Sequence, residues 1–388
     1  SGPLHFANTK IEAIGKLTHT NEPWVQSSSL IDLQGFLVFP GLVNPHDHLE
    51  FALFPRLGTG SYANSLDWAE DIHRSESEII SRHRQVPKNV RLWWGGIRNL
   101  LCGVTTVSHH NPYDSDVFDN NFVIRVVREY GWAHSLALDA DAAEKKRATP
   151  TGQPFLIHLA EGIDAGSEKE LGALHRAGAL NKDTVIIHGL GLTDDDRELL
   201  RDSGAGLIWC PSSNLFLFGH TIPTNSIESL PRVALGSDSP LTAEGDLLDE
   251  VRLAIRSTQL LPETVYKLVT RQAARILRLD QGEGSIYAGG VADLFAVRDM
   301  GQSPAQTLME LSYQDVELVL IGGQVHLASY EVARRLPDQA KKKLQPLLIE
   351  ETLRWVRAPL DWMFRETEPH LPEGVFLGGK QVRRGIHN

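Results

Sequence analysis

Five short aliphatic runs, each leading to a polar or ionisable residue, constrain the fold of this chain more than any other feature. Residues 36–43 are stopped by Asn44 and Pro45 and lead straight to His46 and His48. Residues 155–158 end at His158 with Glu161 three positions on, residues 185–188 end at His188, residues 206–214 end at Asn214, and residues 233–238 end at Asp238. Runs this short and this apolar read as buried strands, and helix-like sequence follows the last four. Reactive groups at the carboxyl ends of several parallel strands are the layout of a (β/α) barrel active site. The expected fold is therefore α/β, a TIM-like (β/α) barrel.

His46 and His48 are one residue apart, and on a strand positions i and i+2 point to the same face. Two imidazoles delivered side by side can take two adjacent vertices around one metal ion. A lone His-X-His is more often an ordinary polar loop. It is the four further strand ends downstream that favour the metal.

In order, Pro40, Gly41, Leu42, Val43, Asn44, Pro45, His46 and His48, then His158 with Glu161, then His188 with Gly189, then Gly236, Ser237, Asp238 and Ser239 resemble the amidohydrolase superfamily. The nearest branch is that of guanine, S-adenosylhomocysteine and triazine deaminases and chlorohydrolases. The resemblance runs from about residue 10 to about residue 325 and requires these spaced elements in order. It implies that His46, His48, His158 and Asp238 hold one divalent transition ion, Zn²⁺ first and Fe²⁺ or Mn²⁺ as alternatives, with one position left for water. The superfamily's two-metal members bridge their ions with a modified lysine from the fourth strand. No lysine ends a strand here, since Lys145 and Lys146 sit in a charged helix-like segment, so one ion is expected. By the same resemblance Glu161 carries a proton to a ring nitrogen of the substrate, His188 polarises the water or the developing oxyanion, Asp238 takes the water's proton, and Asn214 lines the pocket. The implied reaction is deamination of a small cyclic or heteroaromatic compound. Hydrolysis of a cyclic amide or of a carbon–halogen bond, and a barrel scaffold without catalysis, are the alternatives.

The 388 residues suffice for a barrel with a satellite domain. Residues 1–39 read as short strands and match a β-rich block at 280–328; the resemblance pairs the two as a small flanking β-sandwich, with residues 40–279 as the barrel. Residues 329–388 read as a helical C-terminal tail, and residues 4–15 resemble the family's second or third N-terminal strand. Within the barrel, helices are expected near 88–101 and 117–130, with strands at 103–108 and 132–138. Only residues 139–154 separate that last strand from the run ending in His158, and a β-α-β unit needs ~30 residues. The fourth unit is therefore expected to be missing or distorted, leaving seven strands. His109 and His110 follow the second strand at its mouth, where one of them can contact substrate. His73, His83 and His134 read as surface or core residues.

A formal net charge of −11 argues against nucleic acid polymers and anionic membrane surfaces as partners. Cys102 and Cys210 lie among apolar residues and read as buried free thiols. With no 18-residue apolar run and no apolar leader, the expectation is a soluble cytoplasmic protein acting on a small molecule, with a homodimer allowed.

Overall fold

A computed structural model describes residues 4–7, 9–14 and 31–385. Of the short strands expected over residues 1–39, residues 15–30 lie outside the described residues. The strands are β1 (Leu4–Ala7), β2 (Lys10–Ile14), β3 (Phe36–Pro40), β4 (Leu42–Asp47), β5 (Val104–His109), β6 (Arg125–Val126), β7 (Gly131–Ser135), β8 (Phe155–Leu159), β9 (Thr184–His188), β10 (Gly206–Trp209) and β11 (Val233–Leu235). A second block follows, with β12 (Leu294–Arg298), β13 (Leu318–Ile321), β14 (Gln324–Ser329), β15 (Gln345–Ile349), β16 (Thr352–Val356), β17 (Val375–Leu377) and β18 (Lys380–Arg384).

The strands bearing the expected site residues are parallel. They form one sheet in the order β4-β5-β6 and another in the order β11-β10-β9-β8-β7. Every residue of β4, β5, β8, β9, β10 and β11 is buried. Parallel strands covered on both faces need such continuous aliphatic sequence. The two sheets meet at the β11 and β4 edges, where Asp238 N donates to the His46 carbonyl. One apolar cluster contains Val43, Leu156, Val185, Ile187, Ile208 and Ala234, and the helix Arg271–Ile276 adds Ala273 and Ile276.

Residues 139–153 hold the helix Ala142–Ala148 and no strand, as the short gap implied. β6 and β7 are two pieces of one stretch interrupted at residues 127–130; the first pairs with β5 and the second with β8. The expected helix at 117–130 does not form. Asp119 accepts from Asn121 N and Phe122 N, a turn that competes with helical bonding, while Phe118, Phe122 and Val123 enter the core. The helix Lys88–Leu101 forms as expected. A Cβ on its Gly95 would stand 2.3 Å from the Leu49 carbonyl, so only glycine lets this helix approach the turn Leu49–Phe51 that follows His48.

The antiparallel sheet runs β17-β18-β15-β16-β14-β13-β12-β3. β3 therefore joins the N-terminal block to the downstream one, and Ile11 of the β1-β2 hairpin packs with Leu294, Ala296, Leu318 and Leu320. The C-terminal tail differs from expectation. Residues 345–384 contribute four strands to this sheet, with one helix, Leu360–Thr367, between them. Apolar residues at alternate positions of β15 and β16, Leu347, Ile349 and Val356 among them, are buried by the sheet, a period-2 signal that the charged helix preceding them masked.

Candidate active site

β4 ends in His46 and Asp47, and His48 follows, the three side chains alternating. Asp47 turns away from its neighbours and accepts hydrogen bonds from Arg98 Nη1 at 3.0 Å and Asn99 Nδ2 at 2.7 Å. This buried pair anchors the strand end while His46 and His48 face the other way.

His158 meets them from β8. Its Nε2 lies 3.2 Å from His46 Nε2 and 3.4 Å from His48 Nε2. Asp238 Oδ1 is 3.5 Å from His46 Nε2 and 3.8 Å from His48 Nε2. Ligand atoms ~2.05 Å from one ion at tetrahedral angles stand ~3.3 Å apart, so these separations fit an ion at the centre. The protonation states fit as well. Burial pushes the His48 and His158 imidazoles well below their ordinary value, which keeps them neutral with a free lone pair. His158 Nδ1 donates to the His134 carbonyl at 2.8 Å, leaving Nε2 as the lone-pair atom. Burial acts to raise Asp238, but the surrounding imidazoles, His46 with its hydrogen bond foremost, hold its carboxyl well below the usual range. Its other oxygen, Oδ2, accepts from Ser213 Oγ at 2.8 Å and Thr242 Oγ1 at 3.2 Å.

His188 adds a third side. Its Nε2 is 3.5 Å from Glu161 Oε1 and 3.8 Å from Asp238 Oδ2, and it also converges with His46 and His158 closely enough to share an ion. Glu161 is raised to about 7 by burial, against the opposing pull of His188. Ala160, His188 and Asp238 all have left-handed backbones, at φ 52°, 71° and 52°. Such conformations cost ~1–3 kcal/mol each and persist where the surroundings enforce them, often at functional sites.

A cavity of about 100 Å³ borders His158 and Glu161 and is walled by Asn64, Ser65, Leu66, Ser135 and Ser167. A larger cleft of about 990 Å³, bordered by Thr106, Arg125, Arg278 and His326, contains none of these groups, so the chemistry belongs to the smaller space.

His109 departs from its expected place. Its Nδ1 accepts from Leu49 N at 3.2 Å and its Nε2 faces Glu50 at 3.8 Å, so it braces the turn behind the site and does not line the cavity. His110 turns to the other side, donates from Nε2 to the Ala133 carbonyl and packs its ring 4.3 Å from that of His158. It supports the histidine cluster without bordering the cavity. The run expected to extend to Asn214 stops at Trp209, because Pro211 opens the helix Pro211–Phe218. From that helix Asn214 Oδ1 accepts from His188 Nδ1 at 3.2 Å. His134, read as an ordinary surface or core residue, sets its ring 4.8 Å from that of His158, tilted by 45°. Nothing in its local sequence distinguishes it; its place depends on β7 lying beside β8.

The amidohydrolase family model matches residues 125–326, just over half of the chain. The chain belongs to the amidohydrolase family. It is 23% identical over 398 residues to a 5-methylthioadenosine/S-adenosylhomocysteine deaminase of Thermococcus sibiricus, covering 83% of this chain and 88% of that protein. It is 29% identical over 363 residues to the enzyme of the same name from Haloarcula marismortui, covering 76% and 82%. Among solved structures it shares the fold of an atrazine chlorohydrolase mutant from Arthrobacter aurescens TC1 complexed with zinc and atraton, with a TM-score of 0.73, 17% identity and 95% of each chain covered. A zinc-bound adenosine deaminase from Xanthomonas campestris has a TM-score of 0.70 at 18% identity, covering 95% and 92%. This amidohydrolase is thus a metal-dependent hydrolytic enzyme whose histidine-rich site suits one divalent ion, zinc being the ion of its structural neighbours. No helix among the described residues is long and apolar enough to cross a membrane.

Proposed function

We propose that this amidohydrolase removes an exocyclic amino group from a small nitrogen heteroaromatic compound, with a 6-aminopurine nucleoside as the first candidate. The observation that carries this reading is the chain of contacts from Glu161 through His188 to Asp238, set against the His46–His48–His158 cluster. His46, His48, His158 and Asp238 would hold the ion. When bound, the ion supplies a Lewis-acid charge and lowers the pKa of water in its open position toward ~7.

The remaining work falls to the chain. Asp238 Oδ1 faces the centre of the site and accepts a proton there, while Ser213 and Thr242 on Oδ2 hold the carboxylate in that orientation. Glu161, raised to about 7, is part protonated at neutral pH and can hand a proton to a ring nitrogen. His188, fixed by Asn214, presents Nε2 between the two carboxylates and stabilises negative charge that develops on the attacked ring. Among the described residues Asn214 Nδ2 has no hydrogen-bond partner, which leaves a donor beside His188. The names of the relatives, deaminases of 5′-substituted adenosines, support the purine choice.

The same reading makes the two parallel sheets one distorted seven-position (β/α) barrel, supported by their edge contact and shared apolar cluster. β1, β2, β3 and the downstream antiparallel strands then form the flanking β-sandwich. The enzyme is proposed to work in the cytoplasm on small molecules, without nucleic acid or membrane partners, and light scattering would test for a homodimer. The functional test is ammonia release across 6-aminopurine nucleosides, aminopyrimidines and aminotriazines with zinc supplied. Turnover of a purine nucleoside is expected; turnover only of chloro- or alkoxytriazines, without ammonia, would refute deamination.

A further inference from the structure

The last strands of the chain lie against the segment that leaves the active site. The hairpin β17-β18 places Lys380 Nζ 2.9 Å from Asp246 Oδ2 and 2.7 Å from Asp249 Oδ2. Those two aspartates form the capping box of the helix Leu247–Ser257, in which Asp246 bonds the amides of Leu248 and Asp249, and the Asp249 side chain bonds the amide of Asp246. One lysine therefore bridges both carboxylates of the cap, and Asp249 also pairs with Arg252. Gly378, at the turn of the same hairpin, sits so close to Gly245 that a Cβ there would come 2.3 Å from the Gly245 carbonyl oxygen.

Gly245 is where this contact reaches the site. Its carbonyl accepts from Arg98 Nε at 2.9 Å. Arg98 Nη1 donates to the Asp238 carbonyl at 3.1 Å and to Asp47 Oδ2 at 3.0 Å. One guanidinium thus ties the hairpin's docking point to the backbone of Asp238 and to the residue between His46 and His48. Asp238 has a left-handed backbone, which persists only where its surroundings hold it.

We propose that the C-terminal hairpin is a clamp on the ion-holding ends of β4 and β11, with Lys380 and Arg98 as positioning residues that set how tightly the ion is held. The clamp rests on the assignment of His46, His48, His158 and Asp238 as ligands. Without the Lys380 ammonium the cap keeps Arg252 on Asp249 but loses the cation shared with Asp246, so the two carboxylates repel each other and the Gly245 carbonyl loses its fixed position. Arg98 then holds Asp238 less firmly, and the ligand set must be ordered at the moment the ion binds. Contacts that orient ligands without touching the ion typically contribute 10- to 100-fold to affinity. Lys380 acts through two further groups, so its loss should cost roughly tenfold, the lower end of that range.

The test uses the full chain and zinc alone, with affinity measured by competition against a chromophoric chelator and folding checked by near-ultraviolet circular dichroism. Lys380→Met should remain folded and bind zinc roughly tenfold more weakly, while Lys380→Arg, which keeps the charge, should return most of the loss. If Lys380→Met does not fold, Lys380→Gln, which keeps a hydrogen-bond donor without the charge, takes its place, with the same expected weakening. Zinc affinity within about twofold of the parent in either folded variant would overturn the clamp. His46→Ala separates the two ideas. If it loses zinc while folded Lys380→Met keeps parent affinity, the clamp fails and the ligand assignment stands; if His46→Ala keeps zinc as tightly as the parent, the ligand assignment itself fails.

Discussion

Glu250 offers a test of how the structure supports the site. It lies buried on the helix Leu247–Ser257 and receives hydrogen bonds from Ser212 N at 3.1 Å and from Ser212 Oγ. Ser212 lies in the first turn of the helix Pro211–Phe218, which carries Ser213 to Asp238 and Asn214 to His188, so Glu250 fixes the origin of both contacts. Burial raises its carboxyl from 4.5 to about 8, the Ser212 bonds only partly opposing it. Below pH 4.5 the group is protonated in both the folded and the unfolded chain and costs nothing. Above that the unfolded chain releases its proton while the folded chain keeps it, so stability falls as pH rises and levels off only past about pH 8. At about 1.4 kcal/mol per pH unit, the loss reaches about 3 kcal/mol at pH 7 and about 5 kcal/mol above pH 8. Glu250→Gln keeps the shape, its amide oxygen accepting from Ser212 N and its amide nitrogen donating to Ser212 Oγ, and it cannot ionise. Urea unfolding of metal-free protein from pH 4.5 to pH 9 should show the variant gaining on the parent by several kcal/mol toward high pH. A difference between the two that does not change with pH would refute the reasoning.

Three further outcomes are expected. Purified protein should hold about one zinc per chain by elemental analysis, and His46→Ala should lose both ion and activity; two ions per chain would sink the single-ion site. Glu161→Gln should keep fold and ion while turnover of the true substrate falls by ~10²- to 10⁴-fold, the usual worth of a positioned acid–base group; near-parent turnover would remove Glu161 from the proton path. Arg98→Met leaves the Asp47 carboxylate buried without its cation and should cost about 3–5 kcal/mol in denaturant unfolding; a loss under about 1 kcal/mol would mean that Asn99 and Asn44 satisfy Asp47 by themselves.

The sequence by itself determined which residues stand at the strand ends. Aliphatic runs buried on both faces need no partner to be recognised, and the residue that ends such a run is placed by the run. His46, His48, His158, His188 and Asp238 were therefore legible, as was the absence of a strand between Asp139 and Pro154, because chain length limits what can fit there. The tertiary structure decided what depends on neighbours distant in sequence. His109 and His110 are adjacent in the chain, yet one braces Leu49 and Glu50 while the other packs on His158. His134 joins the cluster only because an interrupted third strand position lies beside β8. The tail became sheet since its alternating apolar residues found β14 to pair with. Lys380 and Arg98 carry no local signal of their roles. A buried charge is defined by the partners that packing brings to it, and for Lys380 these lie more than a hundred residues away.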